Sequence, residues 1–167
     1  MDISIRSLEV TDAERLARYA NNRKIWNQVR DLFPHPYTED DARTFISNAT
    51  TSDVNHIFAI CDPSGLVGVT GIHPFSDVYR YKAEVGYWIG EPFWGKGYAT
   101  TALSLLISFA WEHTDLQRLE AGVFSFNIAS RRVAEKAGFH LESIKKKSVF
   151  KNDQFYDEYA YVALRPD

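Results

Sequence analysis

The residues best suited to chemistry fall in one stretch, Tyr87-Trp88-Ile89-Gly90-Glu91-Pro92-Phe93-Trp94-Gly95-Lys96-Gly97-Tyr98-Ala99-Thr100. An apolar run enters a glycine-rich turn, and the turn opens a long apolar segment. Gly95 and Gly97 let the backbone pass close to a ligand and turn its amides outward. A helix starting there adds unpaired N–H groups and the positive end of its dipole. Together these make an anion site with room for two phosphates of a nucleotide. Three readings compete. A Walker-type phosphate loop finds Gly90, Gly95 and Lys96 at the right spacing, but Gly97 stands where a magnesium-binding Ser or Thr is required. A dinucleotide fingerprint needs a glycine where Thr100 stands, and an early βαβ unit. Both fail. A tight strand-to-helix connection with no ligand is the third reading, and the turn alone does not choose between it and a phosphate site.

Metal chemistry finds no support. The single cysteine, Cys61, cannot form an intramolecular disulfide or build a zinc site, and it lies in an apolar run that suits a small core residue. The five histidines are scattered. His35 and His73 each precede a proline, which suits a turn.

The turn must be held by a strand before it and a helix after it, and the hydrophobic pattern supplies both. Residues 82–89 read as a strand and 100–111 as a long apolar helix. Upstream, Ile3 and Ile5 suggest a short first strand. Thr11 caps a helix carrying Ala13, Leu16, Ala17 and Ala20, with Glu14 completing a capping box. A short helix over 24–29 leads into the loop Phe33-Pro34-His35-Pro36-Tyr37. Thr38 opens a further helix to about residue 49, with Asp41 in the capping-box position. Strands over 56–61 and 66–74 flank the turn Asp62-Pro63-Ser64-Gly65. Residues 117–124 are strand-like, 130–137 helical and stopped by Gly138, and 142–150 and 155–164 are strands joined by Lys151-Asn152-Asp153. This order is a mixed α/β sheet with helices on its faces, in one domain spanning 1–167 with no linker or repeat.

Three motifs in order carry a family resemblance. The turn resembles the pyrophosphate loop of the GNAT acetyltransferases, Q/R-x-x-G-x-G/A, with Gly97 and Ala99 at the small positions and Trp94 where most members have Gln or Arg. Asn127-Ile128-Ala129-Ser130-Arg131-Arg132-Val133-Ala134-Glu135-Lys136-Ala137-Gly138-Phe139 is similar to the family's N-x-x-S-x-x-(apolar)-x-E-K-x-G-F segment. Between them, Ala83-Glu84-Val85-Gly86-Tyr87-Trp88-Ile89 resembles the fourth strand of the branch containing the ribosomal-protein N-terminal acetyltransferases. Arg6 and the Phe-Pro-His-Pro-Tyr loop agree less sharply. The resemblance covers nearly the whole chain.

It implies a central, mostly antiparallel, twisted sheet of about six or seven strands, about four helices, and a splay between the fourth and fifth strands. It also implies transfer of acetyl from acetyl-CoA to a primary amine by direct attack, with no metal. The amides of Gly95, Lys96, Gly97, Tyr98, Ala99 and Thr100 would hold the pyrophosphate. The main chain of Trp88 and Ile89 would bond the pantetheine and polarise the thioester carbonyl, and Asn127 would bond the pantetheine as well. Many members place a tyrosine seven residues after this Asn; Ala134 stands there, so Ser130 is the candidate proton donor to the leaving sulfur. Glu84 is the candidate general base, with an outward-facing strand glutamate as the competing reading. Asp157 matches an acidic position of the branch, where it contacts the amine or pairs with Arg or Lys in the sheet. Phe33 and Tyr37 are expected to wall the acceptor pocket, beside Trp26, Pro34 and Pro36.

With 167 residues, 45% hydrophobic, 25% charged and a formal net charge of -3, the composition is globular and weakly acidic. That disfavours a nucleic-acid partner, for which a basic excess is expected, and it suits a cationic acceptor. Lys145-Lys146-Lys147 reads as a solvated strand face, and Trp111 as packing. The N-terminus has neither signal-peptide nor membrane-span character, so the expectation is a soluble, cytoplasmic protein with no membrane contact. The acceptor is a protein N-terminus or a small molecule, and the family's edge strands are compatible with a homodimer. A non-catalytic acyl-CoA-binding or sensing module would keep the same turn; only Glu84 and Ser130 argue for turnover.

Overall fold

A computed structural model describes residues 2–167. Twelve regular elements follow one another: β1 (Ser4–Ser7), α1 (Ala13–Ala20), α2 (Arg23–Trp26), α3 (Glu39–Thr51), β2 (His56–Asp62), β3 (Gly65–Pro74), β4 (Lys82–Ile89), α4 (Tyr98–His113), β5 (Arg118–Phe124), α5 (Ile128–Lys136), β6 (His140–Lys151) and β7 (Gln154–Leu164). The strands form one sheet in the order β1-β2-β3-β4-β5-β7-β6. All neighbours are antiparallel except β4 and β5, which run parallel. The expected mixed, mostly antiparallel sheet is therefore present, with seven strands. Five helices stand where about four were expected, because Arg23–Trp26 forms a separate short helix.

Strand alternation puts successive side chains on opposite faces, and helices cover both. Ala59 joins the apolar cluster of Leu16, Ala17, Ala42 and Ile46 under α1 and α3, whereas its neighbour Ile60 packs with Ala102 of α4. The largest cluster joins Leu103, Leu106 and Ala110 of α4 to Leu119, Val123, Phe139 and Tyr161. α4 is thus clamped to the sheet along its length, which fixes where its N-terminus points.

Boundaries shift where capping chemistry differs from the pattern. Thr11 and Glu14 do not form the capping box. The Asp12 carboxylate accepts from the Glu9 N–H at 2.8 Å, and a 3-10 turn over Val10–Asp12 leads into α1. Asp12 is held there by Arg6, whose two terminal nitrogens each donate at 2.8 Å to one carboxylate oxygen. The box at α3 is present, with Thr38 Oγ1 accepting from the Asp41 N–H at 3.1 Å and Asp41 from the Thr38 N–H at 2.8 Å. α2 ends at Trp26 instead of residue 29. α4 begins at Tyr98, two residues before the apolar pattern, because Gly97 adopts φ +78° at the cap.

His73 is not in a turn. It lies on β3, with an exposed side chain, opposite Glu84 of β4. The lysine run is solvent-exposed as expected, and in addition β6 bulges between Lys145 and Val149, with Lys147 at φ +52°.

Candidate active site

The decisive feature is where β4 and β5 stop pairing. They are joined at Lys82–Arg118, Ala83–Leu119 and Glu84–Glu120, and nowhere beyond. From residue 85 on, β4 continues to Ile89 and β5 to Phe124 without a partner across the gap. Each strand therefore presents unpaired backbone N–H and C=O groups to the opening, where an extended ligand can satisfy them. The opening is one continuous cavity of about 650 Å³, lined by the glycine turn at one end and by Glu84 and Arg30 at the other.

At the turn end, Gly95 and Gly97 have φ of +74° and +78°. A Cβ on Gly95 would meet no atom within 4 Å, so it is backbone conformation and not crowding that asks for glycine there. Gly97 caps α4 without a side-chain hydrogen bond. The first amides of a sixteen-residue helix are thus left for another acceptor, which suits a pyrophosphate. Trp94 also borders the cavity, its indole Nε1–H donating to the Ile89 carbonyl at 2.7 Å. Gly95, Gly97, Tyr98, Ala99 and Thr100 all border the cavity. The Lys96 side chain does not; its ammonium lies 5.5 and 5.9 Å from the ring centroids of Phe93 and Tyr98.

Midway, Trp88 and Ile89 of β4 face Asn127 and Ser130 across the gap, and all four line it. Asn127 caps α5, its Oδ1 accepting from the Ser130 N–H at 3.2 Å. Ser130 Oγ accepts from the Tyr87 hydroxyl at 2.9 Å. Burial pushes the Tyr87 phenol above its ordinary value, partly offset by that bond. Ala134 is buried in the main core at 2% exposure, one helical turn beyond Ser130.

At the far end, Glu84 pairs with Arg30 at 2.5 Å, and both side chains remain solvent-accessible. His73 lies alongside; partial desolvation lowers its pKa, with Arg30 adding to that and the Glu84 charge opposing it. Glu158 of β7 also borders the cavity, stacked on Gly122, where a Cβ would sit 2.8 Å from its carboxyl carbon. Its charge is met by Lys145 at 3.8 Å. Phe33 borders the cavity too, its ring 6.1 Å from that of Trp88.

Two expected acceptor residues lie elsewhere. Tyr37 is buried at 6% exposure behind Phe33, 5.0 Å ring to ring, as part of the α1–α3 core. Asp157 points to the opposite face from Glu158, as strand alternation requires. There it accepts from the Lys147 N–H at 2.9 Å and Lys146 Nζ at 3.2 Å, and these bonds hold its carboxyl below the ordinary range. Asp157 thus organises the β6 bulge. Trp26 carries Arg23 and Lys151 on its ring.

Tyr87, Arg30, His73 and Glu158 were not reached from the sequence. Glu158 had a signal: it is the neighbour of Asp157, and fixing the strand's phase would have exchanged the two. No metal-ligating cluster occurs among the described residues, and no helix there is long and apolar enough to cross a membrane.

Comparison with known proteins agrees with this geometry. The model of the acetyltransferase (GNAT) domain matches residues 2–140. The probable N-acetyltransferase YjcK of Bacillus subtilis (strain 168) is 34% identical over 172 residues, covering 99% of this chain and 95% of that protein. The putative ribosomal N-acetyltransferase YdaF of the same organism is 33% identical, covering 98% and 91%. The crystal structure of a GNAT-family acetyltransferase from Bacillus anthracis superposes with a TM-score of 0.86 at 25% identity, covering 98% and 95%. A splayed parallel strand pair, an uncapped glycine turn opening α4 and these likenesses along nearly the full length lead to one conclusion: the chain belongs to the GNAT acetyltransferase family and is an acetyl-CoA-dependent N-acetyltransferase.

Proposed function

We propose that this enzyme, as one cytoplasmic domain spanning residues 1–167, acetylates a primary amine in a ternary complex, with Glu84 as general base and Ser130 as proton donor. The observation that carries the reading is the cavity between β4 and β5, which runs from the Gly95–Gly97 turn past Ser130 to Glu84. The turn amides hold the pyrophosphate of acetyl-CoA, and the β4 main chain at Trp88 and Ile89, with Asn127, lines up the pantetheine. A β4 amide polarises the thioester carbonyl. Glu84 takes a proton from the incoming ammonium, directly or through water, so that the neutral nitrogen attacks the carbonyl carbon. The carbon–sulfur bond then breaks, Ser130 delivers a proton to the departing sulfur, and the acetylated nitrogen sheds its second proton to solvent as the Ser130 oxygen regains one.

An incoming ammonium at the acceptor end would share Glu84 with Arg30 and Glu158 with Lys145, and Phe33 gives that end an apolar wall. The acceptor is a protein N-terminal amine or a small amine. A buried, unpaired Cys61 accords with a reducing compartment.

The test is thermal unfolding with and without acetyl-CoA, then thiol release against a panel of N-terminal peptides, polyamines and amino acids. Ligand at a hundred times its Kd should stabilise by about 2.7 kcal/mol. Glu84→Gln should lower kcat about a hundredfold without changing acetyl-CoA affinity. Turnover at the wild-type rate in that variant removes Glu84 from the role of base. Stabilisation by acetyl-CoA without thiol release on any amine would favour an acyl-CoA-binding module instead.

A further inference from the structure

We infer that Tyr87 is a positioning residue for the acetyl-transfer step, acting through Ser130; the inference rests on the reading of Ser130 as the proton donor. Tyr87 comes from β4 and Ser130 from α5, on the two sides of the gap, and their hydroxyls meet at 2.9 Å within the cavity lining. The link spans the opening between strands that share no backbone pair at this level.

Its direction follows from acidity. A phenol is a far stronger acid than an aliphatic alcohol, so the phenol donates and the serine oxygen accepts. Once its oxygen is engaged this way, Ser130 turns its own O–H towards another acceptor, and the Ser130 backbone is already fixed by the Asn127 cap at 3.2 Å. The sulfur of the thioester, lying in the cavity both residues border, is the acceptor left for it. Burial keeps the Tyr87 phenol protonated through neutral pH, so this donor stays in place while the reaction runs. No net proton leaves Tyr87. The sulfur gains the Ser130 proton, and the Ser130 oxygen, strengthened as a donor by the phenol, regains one from solvent.

The arrangement also relates to Ala134. Many relatives carry a tyrosine on this helix, by the resemblance noted above, and here that position is a buried alanine. The phenol group reaches the same gap from the facing strand instead.

A double-mutant cycle tests this. Tyr87→Phe keeps the ring and its packing and removes one hydroxyl. It should lower kcat about tenfold, the worth of one hydrogen bond at the reacting centre, with KM for acetyl-CoA changed by less than about twofold. Ser130→Ala should lower kcat at least as much, and the double variant should be no slower than Ser130→Ala alone. Thermal unfolding of each variant checks that it is folded. Wild-type kcat in Tyr87→Phe, or losses that multiply in the double variant, would overturn the inference while leaving Ser130 in its role. Wild-type kcat in Ser130→Ala would remove both readings together. A loss in Tyr87→Phe confined to KM would make Tyr87 a binding residue and overturn the inference as well.

Discussion

Lys151 lies under the ring of Trp26, its ammonium 3.3 Å from the ring centroid and 2.7 Å from Asp31 Oδ1, with only 2% of the side chain exposed. A lysine this buried must recover its lost hydration, and the ring face and the carboxylate supply that between them. The contact joins the tip of the β6–β7 hairpin to the loop after α2, the same loop that presents Arg30 and Phe33 to the cavity. Lys151→Ala should therefore do two things. It should destabilise the fold by about 2 kcal/mol in urea unfolding. It should also raise KM for the acceptor amine while leaving acetyl-CoA affinity unchanged, since the glycine turn is at the other end of the cavity.

Gly97 holds φ +78° at the start of α4. Gly97→Ala should cost about 1 kcal/mol of stability, because an L-residue resists that conformation. Acetyl-CoA binding should weaken in isothermal titration, since relaxing the turn re-aims the amides. A variant of unchanged affinity would show that the turn amides do not hold the cofactor.

Asp12 is held below the ordinary carboxylate range chiefly by Arg6, against the cost of its burial. A depressed carboxyl contributes stability that is fully present above its unfolded value of about 3.9 and is lost as pH falls through the folded value. Arg6→Ala should therefore lower stability at neutral pH. Its stability should also fall less steeply than that of the parent as pH drops below about 4. Chemical denaturation at a series of pH values reads this directly; parallel curves for the two proteins would refute it.

The β6–β7 hairpin turns on Asn152 and Asp153, both with positive φ, at +51° and +60°. That geometry favours glycine at the second position. Asp153→Gly should raise stability by about 0.5 kcal/mol, visible as a higher unfolding midpoint at unchanged activity.

Local chemistry was legible wherever one residue type answers one backbone requirement. The glycines at 95 and 97, the box of Thr38 and Asp41 and the stop at Gly138 were readable because their causes lie within a few residues. The Arg6–Asp12 pair was not, which is why the local pattern points to Thr11 as the helix start. A bidentate ion pair that spans a strand end and a turn leaves no local pattern. Phase was the other loss. One strand holds Asp157 and Glu158, and the register of β7 against β5 and β6 sends one to the bulge and the other to the cavity.

The order of strands and helices and the glycine turn were legible in the sequence because periodicity and turn chemistry are local, whereas Glu84 and Ser130 came forward as candidates only through the family resemblance. Only the tertiary structure decided that β4 and β5 part after three pairs, that Arg30 pairs with Glu84, and that Tyr87 meets Ser130 across the gap. Those relationships join residues 43 and 54 positions apart. They follow from how α5 and the loop after α2 pack on the sheet, and a chain's local preferences carry no record of such long-range packing.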